Sequence, residues 1–299
     1  MPSYPSKHPG KSVLQSLTFL IFSVCLHSAM AASPLSFIES SPVPGGIAFV
    51  TLDAQQFPTS GATPSIRWND RAVAAVVNEG QFTALVGIPL STSAGNQILS
   101  ITSANGQKSS ISFNVDAKNY KEQHLIIKNK RKVNPAPIDM ERINKENKRL
   151  KDVKTYKADR MIADSFEWPL AGIMSSPFGL KRFYNGQPRR PHGGIDIAAS
   201  EGTPILAPAD GVVVETGDYF FNGNCVFIEH GLGLQTFYAH MSRIDVEPGD
   251  RITQGQVIGA VGQTGRVTGP HLHWSVGLNA TWVNPLLVLE TDLPPQATQ

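Results

Sequence analysis

The chain has 299 residues, of which 41% are hydrophobic and 17% charged, and a formal net charge of +2. Those values exclude a chain that is disordered throughout and leave room for two domains of ordinary size. The near-neutral sum hides an uneven distribution of charge along the chain, and that distribution carries more information than the total.

The first 31 residues read as a secretory signal. Lys7 and Lys11 make the positive start, an apolar run of about 14 residues follows over 13–26, and Ala29-Met30-Ala31 offers small residues for cleavage. A membrane span needs roughly 20 apolar residues, and this run is shorter and interrupted by Gln15 and Ser16. Cys25 follows the bulky Val24, where bacterial lipoprotein signals take a small residue, so cleavage rather than lipidation is expected. The chain is therefore expected to be exported, to the periplasm or cell envelope, with Cys225 as the one cysteine of the mature form. A single cysteine forms no intramolecular disulfide, so folding must rest on the core and any bound metal.

Residues 34–117 alternate short apolar runs with turn signals. The runs are Ile47-Ala48-Phe49-Val50-Thr51-Leu52, Val73-Ala74-Ala75-Val76-Val77, Phe82-Thr83-Ala84-Leu85-Val86-Gly87-Ile88 and Ile111-Ser112-Phe113-Asn114-Val115. Pro44-Gly45-Gly46, Ser60-Gly61, Asn78-Glu79-Gly80 and Asn105-Gly106 punctuate them. This spacing predicts a small all-β, sandwich-like domain. It holds no histidine and no cysteine, so its expected work is positioning, wall binding or shielding rather than chemistry.

Residues 118–165 are expected to form a basic linker. Ten lysines and four arginines stand against six acidic residues over 118–160. The stretch 138–161 lacks Gly and Pro and places Ile143, Leu150 and Val153 at loosely helical spacing, which predicts a solvated helix. The same charge could bring the chain to an anionic wall polymer or to lipid head groups. Nucleic acid is not an expected partner of an exported chain.

From residue 166 to 290 strand signals return, followed by a short tail over 291–299. Five of the eight histidines fall in this part: His192, His230, His240, His271 and His273. Zn²⁺ favours imidazole and carboxylate ligands, and a catalytic site uses three of them while leaving a fourth position open. His192, Asp196 and His273 would supply such a set. Side chains two apart share a face of a strand, so His271 and His273 face the same way, and His192 and Asp196 do so if their segment is extended. Gly193 and Gly194 fit a backbone that turns or is closely approached there. His230, in Glu229-His230-Gly231, reads as a turn residue or a support outside the ligand set.

Several motifs here resemble the lysostaphin-like, or LytM-type, zinc metallopeptidases. They are Ser175-Ser176-Pro177-Phe178-Gly179, His192-Gly193-Gly194-Ile195-Asp196, Gly202-Thr203-Pro204, Ala207-Pro208-Ala209-Asp210-Gly211, Tyr238-Ala239-His240, Gly262-Gln263-Thr264-Gly265-Arg266 and Thr268-Gly269-Pro270-His271-Leu272-His273-Trp274. Glu229 and Met241 depart from the family's usual Asp and Leu, and neither touches the ligand set. The resemblance implies a mostly β fold with a compact antiparallel sheet and an open groove. It implies one zinc per chain on His192, Asp196 and His273, with His240 and His271 as catalytic groups beside it. By the same resemblance the substrate is the cross-link peptide of bacterial peptidoglycan, and D-amino-acid cross-links are favoured over glycine bridges. The alternative is a non-enzymatic activator of another wall hydrolase, but such degenerate copies lack ligands and here all five positions are filled. A closed structural zinc site is poorly served by this donor set. No H-E-x-x-H occurs, so a glutamate-based route is not expected.

Overall fold

Alternating burial builds the first sheet. Six antiparallel strands lie in the order Ile47–Thr51, Gln81–Gly87, Arg71–Asn78, Ser65–Trp68, Gly95–Thr102 and Lys108–Val115. These coordinates are a computed structural model that describes Met1 and residues 35–296. The expected secretory signal, Cys25 included, therefore lies outside the described residues apart from Met1. The turn between Asn78 and Gln81 has Glu79 at φ 50° and Gly80 at φ 78°, the left-handed pair that a two-residue hairpin demands. Val50, Val86 and Ile88 pack with Ile66, Trp68, Leu99 and Ile101 into one core, which makes this sheet sandwich-like as expected. Two of its strands escaped the sequence reading. In Gly95–Thr102 only Leu99 and Ile101 are buried, so the strand carries a polar sequence with a weak apolar pattern.

The larger sheet has ten strands, and four of them position the site: Ile195–Ala198, Gly223–Glu229, Leu234–Ile244 and Leu272–Leu278. Their alternation divides the residues cleanly. Ile195, Ile197, Leu272, Trp274, Val276 and Tyr238 enter the main core, where Trp274 and Tyr238 are fully buried. Burying an aromatic side chain of that size contributes on the order of 2–3 kcal/mol. Asp196, His273, Ser275, Phe237 and Ala239 are left for the other face, with Asp196 opposite His273 and His273 opposite Ala239 in register. Ile47, Val76 and Leu85 of the first sheet belong to the same core as Trp274, and Gly87 N donates to Asn279 Oδ1 at 2.9 Å, so the two sheets are packed together.

The basic segment is helical but it is not a solvated linker. One helix spans Pro137–Thr155, with Ile143 buried and Leu150 and Val153 packed against Tyr219, Phe227 and Phe237 of the larger sheet. Arg149 Nε donates to the buried Glu215 at 2.7 Å, and Arg142 Nε donates to Glu146 at 2.6 Å. The helix ends six residues before the expected boundary. Gln235 Nε2 donates to the carbonyls of Val153 and Tyr156, both at 2.9 Å, and Met161 bridges to Gly231. Tertiary hydrogen bonds thus take the carbonyls that would have continued the helix. Ahead of it, Glu122–Leu125 pairs in parallel with Lys181–Tyr184, an exception to the antiparallel pattern.

Candidate metal centre

His192, Asp196 and His273 come together across three elements. Asp196 and His273 lie opposite each other on paired strands, and His192 belongs to the loop before the first of them, where Gly179 N donates to His192 O and His192 N donates to Leu180 O. The strand begins only at Ile195, so His192 lies in the segment ahead of it and is placed by those two backbone bonds. The glycines between them serve close approach: a Cβ on Gly193 would stand 2.7 Å from Trp282 Cδ1, and one on Gly194 would stand 2.3 Å from Trp274 O.

The atoms that converge are acceptors. His192 Nε2 lies 2.9 Å from Asp196 Oδ1 and 3.0 Å from His273 Nδ1, and His273 Nδ1 lies 2.8 Å from Asp196 Oδ1. His192 Nδ1 donates to Pro177 O at 2.8 Å, a pure acceptor, which fixes the proton there and leaves Nε2 of the neutral ring as a lone pair. His273 Nε2 can donate to Ser275 Oγ at 2.9 Å and so present Nδ1 in the same way. Lone pairs this close and this buried repel one another unless a cation lies between them. The set is also compact enough for one ion to reach all three atoms at about 2.0–2.2 Å, the bond lengths zinc takes to nitrogen and oxygen. The donor chemistry fits a zinc-type cation.

Electrostatics are consistent with that fit. Burial works against the Asp196 carboxylate, but any proton that His192 or His273 turns toward Oδ1 holds it well below the usual carboxylate range, the place a bound cation would take. Arg182 adds a cation on the other oxygen, Nη2 to Asp196 Oδ2 at 2.6 Å, and is itself braced by Gln123 Oε1 at 3.0 Å. Burial pushes His273 down to about 4 in spite of Asp196, which keeps its ring neutral and able to ligate at pH 7.

His240 and His271 stand beside the cluster. Their ring centroids are 4.9 Å apart, and His240 lies 6.1 Å from His273. His271 Nδ1 donates to Gly269 O and His240 Nδ1 donates to Thr264 O, each at 2.8 Å, so both rings keep Nε2 for other work. His271 Nε2 is 3.9 Å from Asp196 Oδ1. Strict alternation would have sent His240 to the core with Tyr238. Instead the strand carries a bulge opposite Cys225, between the pairs Asn224–Met241 and Val226–Tyr238, and His240 takes φ 65°. That strained backbone re-aims the ring toward the cluster.

His230 does not join the others. It is wholly buried, with Nδ1 donating to Asp210 O and Nε2 bonded to Thr236 Oγ1, both at 2.7 Å, and its ring lies against Phe166. Residues the sequence reading missed are Arg182, Gln123 and Ser275. Only Ser275 had a signal, two residues beyond His273 on the same strand face.

Two family models match the chain. Residues 190–285 match the model of peptidase family M23, and residues 40–118 match the M23 N-terminal domain. The fold is similar to a crystal structure described as a putative peptidase M23 from Pseudomonas aeruginosa, at 35% identity and a TM-score of 0.68, covering 86% of this chain and 98% of that one. Among curated proteins, 127 residues are 46% identical to the DD-carboxypeptidase/endopeptidase Mpg of Neisseria meningitidis, covering 42% of this chain and 29% of Mpg. A stretch of 114 residues is 43% identical to the peptidoglycan DD-endopeptidase ShyA of Vibrio cholerae, covering 38% of this chain and 26% of ShyA. The chain thus spans less than a third of the length of these two relatives.

Proposed function

The chain belongs to peptidase family M23, and from that premise we propose that it is an exported zinc metalloendopeptidase that hydrolyses D-amino-acid cross-links of bacterial peptidoglycan. The observation that carries the reading is the convergence of His192 Nε2, Asp196 Oδ1 and His273 Nδ1 within 3.0 Å of one another, beside two further histidines with Nε2 free of backbone partners. The names of Mpg and ShyA support peptidoglycan as the substrate.

His192, Asp196 and His273 would hold the ion. Bound zinc would lower the pKa of a water to about 7 and polarise the scissile carbonyl. The remaining work falls to the chain. Arg182 fixes the Asp196 carboxylate through Oδ2, leaving Oδ1 directed at the two histidines. Ser275 orients His273, and Pro177 O orients His192. His240 and His271, each held by a carbonyl at Nδ1, would accept a proton or donate a hydrogen bond at Nε2 during attack on the peptide carbonyl.

The same proposal covers the organisation of the chain: a leader over 1–31, an N-terminal β domain over 34–117 that positions the enzyme, a basic segment, and the peptidase domain over 166–290. Exposed Lys148 and Lys151 on the helix would face an anionic wall polymer or membrane surface. The test is incubation of the purified protein with peptidoglycan. Chelation should stop release of uncrosslinked peptides and added Zn²⁺ should restore it; full activity in protein shown by metal analysis to be zinc-free would contradict the proposal.

A further inference from the structure

Between the Pro137–Thr155 helix and the Phe227, Phe237 and Trp282 side of the sheet lies a cavity of about 690 Å³ that reaches His273 and Ser275. Its size suits a short peptide, since small-molecule sites commonly run to several hundred Å³. Four cations line it: Lys154, Arg189, Arg190 and Arg266. The acidic residue in the lining, Glu146, is already engaged, accepting from Arg142 at 2.6 Å and from Phe220 N at 2.8 Å.

Among the described residues none of the four cations is in a salt bridge. Arg189 donates only to neutral oxygens, those of Pro188, Val133, Asn134 and Gln187. Arg266 lies over the rings of Tyr184 and Phe221, at 4.6 and 4.5 Å, and donates to Lys132 O. The Lys154 ammonium sits 3.8 Å from the centre of the Trp282 ring. Burial, with the like charge of Arg190 beside it, pushes Lys154 down to about 8. An aromatic ring alone would explain one cation here, not two set against each other. Positive charge gathered in a walled cavity focuses its field on whatever enters.

We propose that this cavity is a subsite for a carboxylate-bearing peptide, with Lys154 and Arg190 holding the carboxylate, so that the peptide's other end reaches the His192–Asp196–His273 cluster. The proposal rests on the peptidase reading above and names the substrate chemistry that reading leaves open: an acidic peptide, bound under the helix. The helix is then a wall of the substrate site and not a cover over it.

Binding to the full-length, zinc-loaded protein separates this from catalysis. Three probes are titrated by calorimetry: N-acetyl-trialanine with a free terminal carboxylate, N-acetyl-Ala-Glu-Ala-amide with a side-chain carboxylate, and N-acetyl-trialanine amide with none. At least one acid should bind roughly tenfold or more tighter than the amide, the range expected for a charge-assisted hydrogen bond, and the better acid identifies the source of the carboxylate. The double variant Lys154→Gln, Arg190→Gln should erase that difference without changing amide affinity, while Arg190→Lys should retain part of it. Thermal unfolding of each variant checks that the helix remains docked. Equal binding of acids and amide, or an advantage that survives the double variant, would overturn the proposal. So would faster cleavage of peptidoglycan by the double variant, the result expected of a cover. Failure of the peptidase reading alone would show as carboxylate-selective binding without hydrolysis.

Discussion

Two buried histidines beside the larger sheet look alike by exposure and by the carbonyl each meets at Nδ1, and differ at Nε2. His230 is wholly buried, and both ring nitrogens are closed off by Asp210 O and Thr236 Oγ1. His192 is almost as buried, yet its Nε2 faces a carboxylate oxygen 2.9 Å away with its proton committed to the opposite side of the ring. Burial therefore does not mark a functional histidine. Convergent lone pairs that no protein donor satisfies do, because folding tolerates them only where something else will occupy the space between them.

Removing each ring should do opposite things. His192→Ala should collapse zinc affinity by several orders of magnitude while leaving the unfolding free energy of the metal-free protein nearly unchanged, because it relieves repulsion among the acceptors. His230→Ala should leave zinc affinity intact and cost about 3 kcal/mol of stability through the cavity and the Asp210 carbonyl left without its partner. Denaturant melts with and without chelator, paired with zinc titrations, measure both effects. Equal loss of zinc in the two variants would break the comparison.

Acid should act on the His230 environment as well as on His273, which burial also pushes down. Burial pushes His230 down to about 4 against an ordinary 6.5, with the Asp210 carbonyl and carboxylate opposing that shift only in part. The unfolded chain takes up a proton near pH 6.5 while the folded one resists until about 4, so stability falls as pH drops through that window. The loss is about 3 kcal/mol at most for this one group. His230→Asn should flatten that part of the stability profile in metal-free protein; an unchanged slope would show that other groups carry it.

The smallest effect expected is at Arg182. It touches only the outer oxygen of Asp196, so Arg182→Met should weaken zinc binding about 10–100-fold, the usual scale for a group that orients a ligand. Arg182→Lys should recover part of it. The cobalt-substituted protein should show an altered visible spectrum in the Met variant, which a loss of stability alone would not produce.

Much of this was legible in the sequence, and what was not has identifiable causes. Asp196, His271 and His273 follow from strand alternation, and the runs around Tyr238 and Trp274 announce the core beneath them. His192 was legible as a residue type but not as a geometry, because its approach to Asp196 depends on a loop held by Leu180 O and Pro177 O. His240 defeats alternation outright: a period of two sends it into the core, and only the bulge with φ 65° turns it back. Arg182 and Gln123 had no local signal, since their partners are 14 and 53 or more residues away. The basic segment misled in a different way. Its charge pattern suggests solvent on all sides, but three apolar residues, the Arg149–Glu215 pair and the bonds that Phe220 N and Gln235 make to it lay it on the sheet.

The central claim is that His273 holds the metal while His271, two residues away on the same strand face, acts on the substrate or water. Zinc content and cleavage rate measured side by side on His273→Ala and His271→Ala test it most directly. His273→Ala should lose both bound zinc and activity. His271→Ala should keep near-stoichiometric zinc and lose turnover by on the order of 10²-fold or more. Loss of zinc from His271→Ala with retention in His273→Ala would contradict it.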